Sequence, residues 1–298
     1  MSYRSRDQLI SDFNALETQY PTFVSHEYIG KTVRGSNIPL FKVGNPLGGR
    51  VMFIGATHGD EPLGSEVLYY FCRWLLERQE PTYADQFLSK TLFLIVPIFN
   101  MDNYRVTRKN ANAVDLNRNF PVGWGGSGSS ADPTAYNYKG TTASSEPETK
   151  TMLTTLEKWK PSFLLDIHQF AGPYFARPSN YASVTPTDVE RHNTIATAIR
   201  SLSTIRTTFA LPYLYLGIGG CLADSSYKIG NAISYLTEFE SSSPAYADIV
   251  PIYLPRFLPF PITYAQNALP PPSPPPTFLI GLTALASIIA VTYMFGRG

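Results

Sequence analysis

Apolar positions at Leu9, Ile10, Phe13, Leu16 and Tyr20 recur near a helical period and stop at Pro21, which predicts an N-terminal helix. Two strand-like stretches follow at residues 38–43 and 51–55, joined by the turn Gly44-Asn45-Pro46-Leu47-Gly48-Gly49. Residues 64–78 are mostly apolar on one side and predict a second helix. Residues 91–99 and 163–167 are continuous apolar runs, the pattern of strands covered on both faces, and the second leads directly into His168. Residues 234–240 form one more strand candidate. Strands alternating with helices predict an α/β fold with a mixed, largely parallel central sheet flanked by helices. In such sheets, sites gather where strands end.

Past this region the pattern changes. Pro270-Pro271-Pro272-Ser273-Pro274-Pro275-Pro276 reads as a stiff, extended spacer, and an uncharged apolar run occupies residues 278–295. That run sits near the short limit of about 17–25 residues for a transmembrane helix, with Arg297 just beyond it. The expected organisation is a domain over residues 1–262, a proline-rich linker over 263–277 and a membrane anchor over 278–295. The polar start of the chain offers no apolar stretch of signal-peptide type. Insertion of the tail after synthesis would then leave the domain in the cytosol, while Arg297, the one basic residue near the anchor, favours the opposite arrangement.

Composition narrows the function classes. At 44% hydrophobic and 16% charged residues the chain can bury a large core. A formal net charge of +1 without long basic runs argues against a nucleic-acid partner. The two cysteines, Cys72 and Cys221, stand far apart among apolar or small residues and read as buried free thiols. The Gly/Ser-rich residues 123–130 lack the strand-to-helix setting of a phosphate loop and read as a surface loop.

The densest polar cluster behind an apolar strand is Thr57-His58-Gly59-Asp60-Glu61-Pro62. His58 and Glu61 can offer a ring nitrogen and a carboxylate oxygen to one ion, while Gly59 relaxes the turn. His168 ends a second buried strand in Leu165-Asp166-Ile167-His168-Gln169. Two His and one Glu are an established zinc set that leaves a position open for water. Asp60 is an alternative oxygen ligand or a supporting partner. The other two histidines, His26 and His192, sit among polar residues and are expected to be solvated.

These residues lie in motifs that resemble the zinc carboxypeptidase family. Tyr20-Pro21, Gly30-Lys31-Thr32 and Gly35 are similar to its opening, and Gly55-Ala56-Thr57-His58-Gly59-Asp60-Glu61-Pro62 to its first zinc motif. Arg108-Lys109-Asn110-Ala111-Asn112-Ala113-Val114-Asp115-Leu116-Asn117-Arg118-Asn119-Phe120-Pro121 resembles its substrate-carboxylate motif. Gly140 with Ser145-Glu146-Pro147-Glu148-Thr149, and Asp166-Ile167-His168, also match. The resemblance covers residues 20–240 and implies a zinc-dependent hydrolase acting on the C-terminal bond of a peptide or protein. It implies one Zn2+ per chain on His58, Glu61 and His168, with Asn117 and Arg118 binding the substrate carboxylate. Arg108 would stabilise the oxyanion, and Tyr215, ahead of Gly217, Gly219 and Gly220, would close over the substrate.

Two choices stay open. Glu238 and Glu240 share one face of the last strand candidate, and the family spacing favours Glu238 as the base. Leu222 would give the pocket an apolar floor, whereas an inward-pointing Asp224 would favour a basic side chain. Rival functions are hydrolysis of a special amide (a γ-linked peptide, a polyglutamate or an N-acyl amino acid) and an inactive membrane scaffold.

Overall fold

The computed structural model describes residues 2–172, 174–202 and 217–268. Helix α1 (Arg6–Gln19) starts where the Ser5 side chain accepts a hydrogen bond from the Gln8 N–H, and it buries Leu9, Phe13 and Leu16. Strands β1 (Val24–Lys31) and β2 (Asn37–Gly44) form an antiparallel pair and are followed by β3 (Gly49–Gly55). Helix α2 (Leu63–Leu76) is buried on nearly every side, and α3 (Pro81–Lys90) leads into β4 (Thr91–Val96). The strand expected through residue 99 stops at Val96 because Pro97 has no N–H to add to the ladder.

Helix α4 (Pro147–Trp159) has Pro147 in its first turn and precedes β5 (Phe163–His168). The short β6 (Tyr174–Ala176), α5 (Pro186–Leu202), α6 (Leu222–Gly230) and β7 (Ile233–Glu238) follow. Helices α7 (Leu254–Phe257) and α8 (Pro259–Ala268) close the described chain.

Among the described residues the strands form one seven-stranded sheet in the order β1-β2-β4-β3-β5-β7-β6. The central four, β4, β3, β5 and β7, are parallel, while β1, β2 and β6 run antiparallel to their neighbours. Every residue of β4, β5 and β7 is buried, as a parallel sheet with both faces covered requires. The edges differ: β1 buries only Val24 and is otherwise half-buried or exposed, and β6 has three residues, so neither offers a long apolar edge.

Beneath the sheet, Phe53 meets Phe257 at 4.9 Å between ring centroids, and Phe71 meets Phe93 at 5.1 Å. Helix α8 carries this core past residue 262, where the domain was expected to end. Thr263 and Tyr264 are buried, and Tyr264 lies 5.0 Å from Phe163. Among the described residues no helix is long and apolar enough to cross a membrane; the apolar run at 278–295 lies outside them.

Candidate active site

Strand β3 has β4 on one side and β5 on the other, so the chain winds away in both directions from the gap between β3 and β5. Such a switch point leaves a crevice at the carboxyl ends of the strands. Three strands deliver side chains there. His58 follows the end of β3, His168 ends β5, and Glu238 ends β7 directly opposite His168 in the ladder.

His58 Nδ1 stands 2.7 Å from Glu61 Oε1 and 3.0 Å from His168 Nδ1, which is 2.8 Å from Glu61 Oε2. The far nitrogens of the two rings face carboxylates: His58 Nε2 is 3.0 Å from Asp115 Oδ1, and His168 Nε2 is 2.9 Å from Asp166 Oδ2. Asp115 assigns the His58 ring proton to Nε2 and leaves its Nδ1 lone pair aimed at Glu61 and at His168 Nδ1. Two ring nitrogens and a carboxylate packed this closely are arranged to take a cation between them. Two imidazoles and a carboxylate suit zinc better than a hard, all-oxygen ion. Among the described residues, His58, Glu61 and His168 are the group placed to hold a metal.

Titration behaviour agrees with that need for positive charge. Burial works against ionising Glu61, but His58 and His168 outweigh it and hold the carboxyl well below its ordinary range. Burial likewise disfavours charge on His168, yet Asp166 and Glu61 together lift its pKa well above that of a free imidazole. Asp115 is fully buried and still held far below the usual carboxylate range by His58, Arg118 and Arg108.

Close packing of two loops makes the site. A Cβ on Gly59 would stand 2.3 Å from the Asn103 carbonyl oxygen and 2.5 Å from that of Thr107, and the Gly59 N–H donates to the Arg108 carbonyl at 3.2 Å. Glycine is therefore needed here for close approach rather than for turn freedom. This contact sets Arg108 beside the ligands, 3.1 Å from His58 Nδ1 and 3.5 Å from Glu61 Oε1. Asp115 fixes the guanidinium by accepting from Arg108 Nη2 at 2.7 Å and Nε at 3.0 Å.

Asp115 also accepts from the Asn117 N–H at 2.9 Å, capping the short turn Leu116–Arg118. Asn117 accepts from the Leu222 N–H at 3.0 Å, and its amide nitrogen lies 3.3 Å from His168 Nε2. Arg118 is buried; its Nε donates to the Gly128 carbonyl at 2.8 Å and its Nη1 to that of Asn117 at 2.8 Å. It forms no ion pair with a described carboxylate.

Glu238 is 9% exposed, and its Oε2 accepts from the Ala171 N–H at 3.3 Å. Burial raises its pKa to about 7, with Glu61 adding to the rise and His168 and His58 opposing it. Glu240 lies beyond the strand, where it accepts from Tyr253 Oη at 2.9 Å and faces Arg256 at 3.5 Å. The two carboxylates therefore do not share a strand face as expected. The chain turns after Glu238, and the Phe170 N–H donates to the Glu240 carbonyl at 2.6 Å.

Other expected residues fall differently. Leu222 packs its side chain fully into the main core, so its visible tie to the site is the backbone bond to Asn117. Asp224 is buried, but its carboxylate accepts from the Ser179 N–H at 2.6 Å and from the Ser179 hydroxyl. Asp60 stands outside the ligand group, with Oδ1 buried and unpartnered among the described residues. Tyr215 lies outside the described residues.

His192, expected in solvent, is buried: Nδ1 donates to the Asp188 carbonyl at 2.7 Å and Nε2 accepts from the Ser234 N–H at 3.2 Å. His26 is half-buried against Glu17. The sequence reading gave no role to Asp115 or Gln169. Gln169 ties Glu61 to helix α2, donating its N–H to Glu61 Oε2 at 3.2 Å and accepting from the Leu63 N–H at 2.9 Å.

A family model described as zinc carboxypeptidase matches residues 9–248. The chain belongs to the zinc carboxypeptidase family. Carboxypeptidase B of Bos taurus is 29% identical over 216 residues, which is 64% of this chain and 51% of that protein. Carboxypeptidase A6 of Homo sapiens is 27% identical over 277 residues, 82% of this chain and 61% of that one. The chain thus spans about half the length of several curated relatives it matches.

Two solved structures superpose well. The carboxypeptidase A from Helicoverpa armigera gives a TM-score of 0.72 at 22% identity, covering 89% of this chain and 74% of that one. Thrombin activatable fibrinolysis inhibitor gives 0.76 at 22% identity, covering 89% and 73%. Zinc is the metal of the family, and the donor set formed by His58, Glu61 and His168 fits it.

Proposed function

We propose that this chain is a metallocarboxypeptidase that hydrolyses the C-terminal peptide bond of peptides or proteins. The observation that carries this reading is Arg118, a buried guanidinium near Asp115 whose hydrogen bonds among the described residues go to main-chain carbonyls and to no carboxylate. It sits in the turn whose Asn117 reaches the ligand His168. A free substrate carboxylate is the anion that completes it, and a planar guanidinium binds that group through two hydrogen bonds.

The remaining residues then take consistent parts. His58, Glu61 and His168 would hold Zn2+, which when bound polarises a carbonyl and makes water more acidic. Arg108, fixed by Asp115, would face the carbonyl oxygen where negative charge develops. Glu238, with its pKa at about 7, can take a proton from the attacking water and return it to the departing amine. Tyr215 would cover the substrate carboxylate.

Specificity for an apolar C-terminal side chain fits best, because the Asp224 charge is already met by Ser179. A small apolar group of Ala176, Cys221 and Leu236, flanked by Ile218 and Tyr174, lies behind Asn117. The intact ligand set speaks against an inert scaffold, and no described feature favours a special amide. We keep residues 278–295 as a membrane tether; recovery of the full chain in the soluble fraction after lysis would reject it.

Peptides with free and amidated C-termini test the main reading. The purified chain should release the last residue from free acids alone and stop when chelated. Glu238→Gln should lower turnover by about 10²–10⁴-fold while keeping stoichiometric zinc. Arg118→Met should remove the preference for the free acid. Equal cleavage of amidated peptides by the unmodified chain refutes the proposal.

A further inference from the structure

Tyr136 is 70% exposed, on a loop tied down on both sides of it. Its three near neighbours are anchored to the catalytic loops. The Ala135 carbonyl accepts from Lys109 Nζ at 3.0 Å, beside Arg108. Asn137 Nδ2 donates at 2.9 Å to the Gly128 carbonyl, the oxygen that also holds Arg118. The Tyr138 carbonyl accepts at 2.8 Å from the N–H of Asp115, the residue that fixes Arg108. Single exposed aromatics are common and usually mean nothing. This one is held in place through its backbone neighbours, and its hydroxyl has no hydrogen-bond partner among the described residues.

The ring also has a defined relation to the chemistry. The Arg108 guanidinium lies 5.8 Å from the Tyr136 ring centroid, while the same guanidinium reaches His58 at 3.1 Å. The distance is at the outer edge of a cation–π contact, so the ring flanks the arginine without covering it.

We infer that Tyr136 is a specificity-determining residue that receives the substrate side chain immediately N-terminal to the scissile bond and selects aromatic or branched apolar groups there. This rests on the carboxypeptidase reading above. In it, Arg108 faces the carbonyl oxygen of the bond that is cut, and that carbonyl belongs to the penultimate residue. The penultimate side chain leaves from the adjacent carbon, so an aromatic wall beside Arg108 is the first surface it meets. The terminal side chain lies on the other side of the bond, with the carboxylate at Asn117 and Arg118. An exposed ring gains by stacking with an aromatic partner and by shedding water from both faces.

Full-length, zinc-loaded protein would be assayed on peptides ending in a constant leucine, with phenylalanine, leucine, alanine or glycine before it. The expected preference for phenylalanine over glycine is about tenfold in kcat/KM, expressed mainly in KM. Tyr136→Ala should bring the two peptides to within about twofold of each other, and Tyr136→Phe should retain the preference. Unfolding temperature and zinc content of both variants exclude a folding effect.

A uniform fall of kcat across all four peptides in Tyr136→Ala would show that the ring only positions Arg108, and overturns the inference. So does release by the wild type that ignores the penultimate residue, which leaves the carboxypeptidase reading standing. No release from any peptide by zinc-loaded wild type overturns both.

Discussion

Replacing Asp115 with asparagine should loosen the metal without touching any metal ligand. Asp115 is fully buried and receives hydrogen bonds on both oxygens. Oδ1 faces His58 Nε2 at 3.0 Å and the Asn117 N–H at 2.9 Å, while Oδ2 accepts from Arg108 at 2.7 and 3.0 Å. Asparagine keeps the shape but turns one acceptor into a donor. Its NH2 cannot face the two N–H groups of a charged guanidinium, so its oxygen stays with Arg108 and its nitrogen turns to His58. There it opposes the Nε2–H, and the ring either loses that bond or moves its proton to Nδ1, the atom a metal needs. Loss of such an outer partner typically costs 10–100-fold in metal affinity, or about 1.4–2.8 kcal/mol. The assay is competition of the variant against a chelator of known zinc affinity, with the unfolding temperature of the zinc-loaded form as control. Zinc affinity within about twofold of wild type would refute the assignment of the His58 ring proton to Nε2.

Two further predictions concern stability. His192 is buried neutral with its pKa lowered from 6.5 to about 4, mainly by burial. Its contribution is full above pH 6.5 and is lost as pH falls towards 4, a change of about 3 kcal/mol. Asp224 runs the other way: burial raises it from 3.8 to about 6, so its contribution is present below pH 3.8 and lost as pH rises through 6, again by about 3 kcal/mol. The two slopes oppose each other in the wild type. Urea unfolding at pH 4 to 7 should show Asp224→Asn gaining stability on the wild type as pH rises, and His192→Gln losing ground over the same window; parallel curves would reject both. Separately, Arg4→Ala should destabilise by about 3–5 kcal/mol, because Glu66 is fully buried and Arg4 is its charged partner. Adding Glu66→Gln should recover part of that loss, and an unchanged denaturant midpoint in the single variant would contradict the pairing.

The metal ligands were legible because each follows a doubly buried strand, and such strands announce themselves as unbroken apolar runs. Asp115 was not legible, although it lies inside a recognised motif. Its partners His58 and Arg108 come from other loops, and nothing local distinguishes an acid beneath a ligand from one in a polar turn. His192 was misread because Glu190, Arg191 and Asn193 surround it in sequence. On α5 the buried set is His192, Ile195, Ala196 and Ile199, one face of a helix, so helical periodicity carried a signal that a neighbour-by-neighbour reading missed. The last strand was drawn two residues too long, since alternation alone cannot show where the ladder ends. That point is set by β5 and β6, whose pairing partners lie far off in sequence.

Glu238 and the metal ligands are placed by backbone pairing more than by side-chain packing. His168 and Glu238 are ladder partners at the ends of β5 and β7, and Gly55 pairs with Ile167 in the same register. A slip of one residue between β5 and β7 would turn Glu238 to the opposite face of the sheet and set Thr237 opposite His168 in its place. The register is held by the apolar faces of strands buried on both sides, where many different residues serve equally well. That explains how a chain sharing 22% identity with a solved carboxypeptidase can superpose on it at a TM-score of 0.72. What must be kept is the pattern of burial along the strands, together with the few polar residues at their ends; on the carboxypeptidase proposal, the loops that carry Arg108, Arg118 and Tyr136 are left free to set which substrate would be cut.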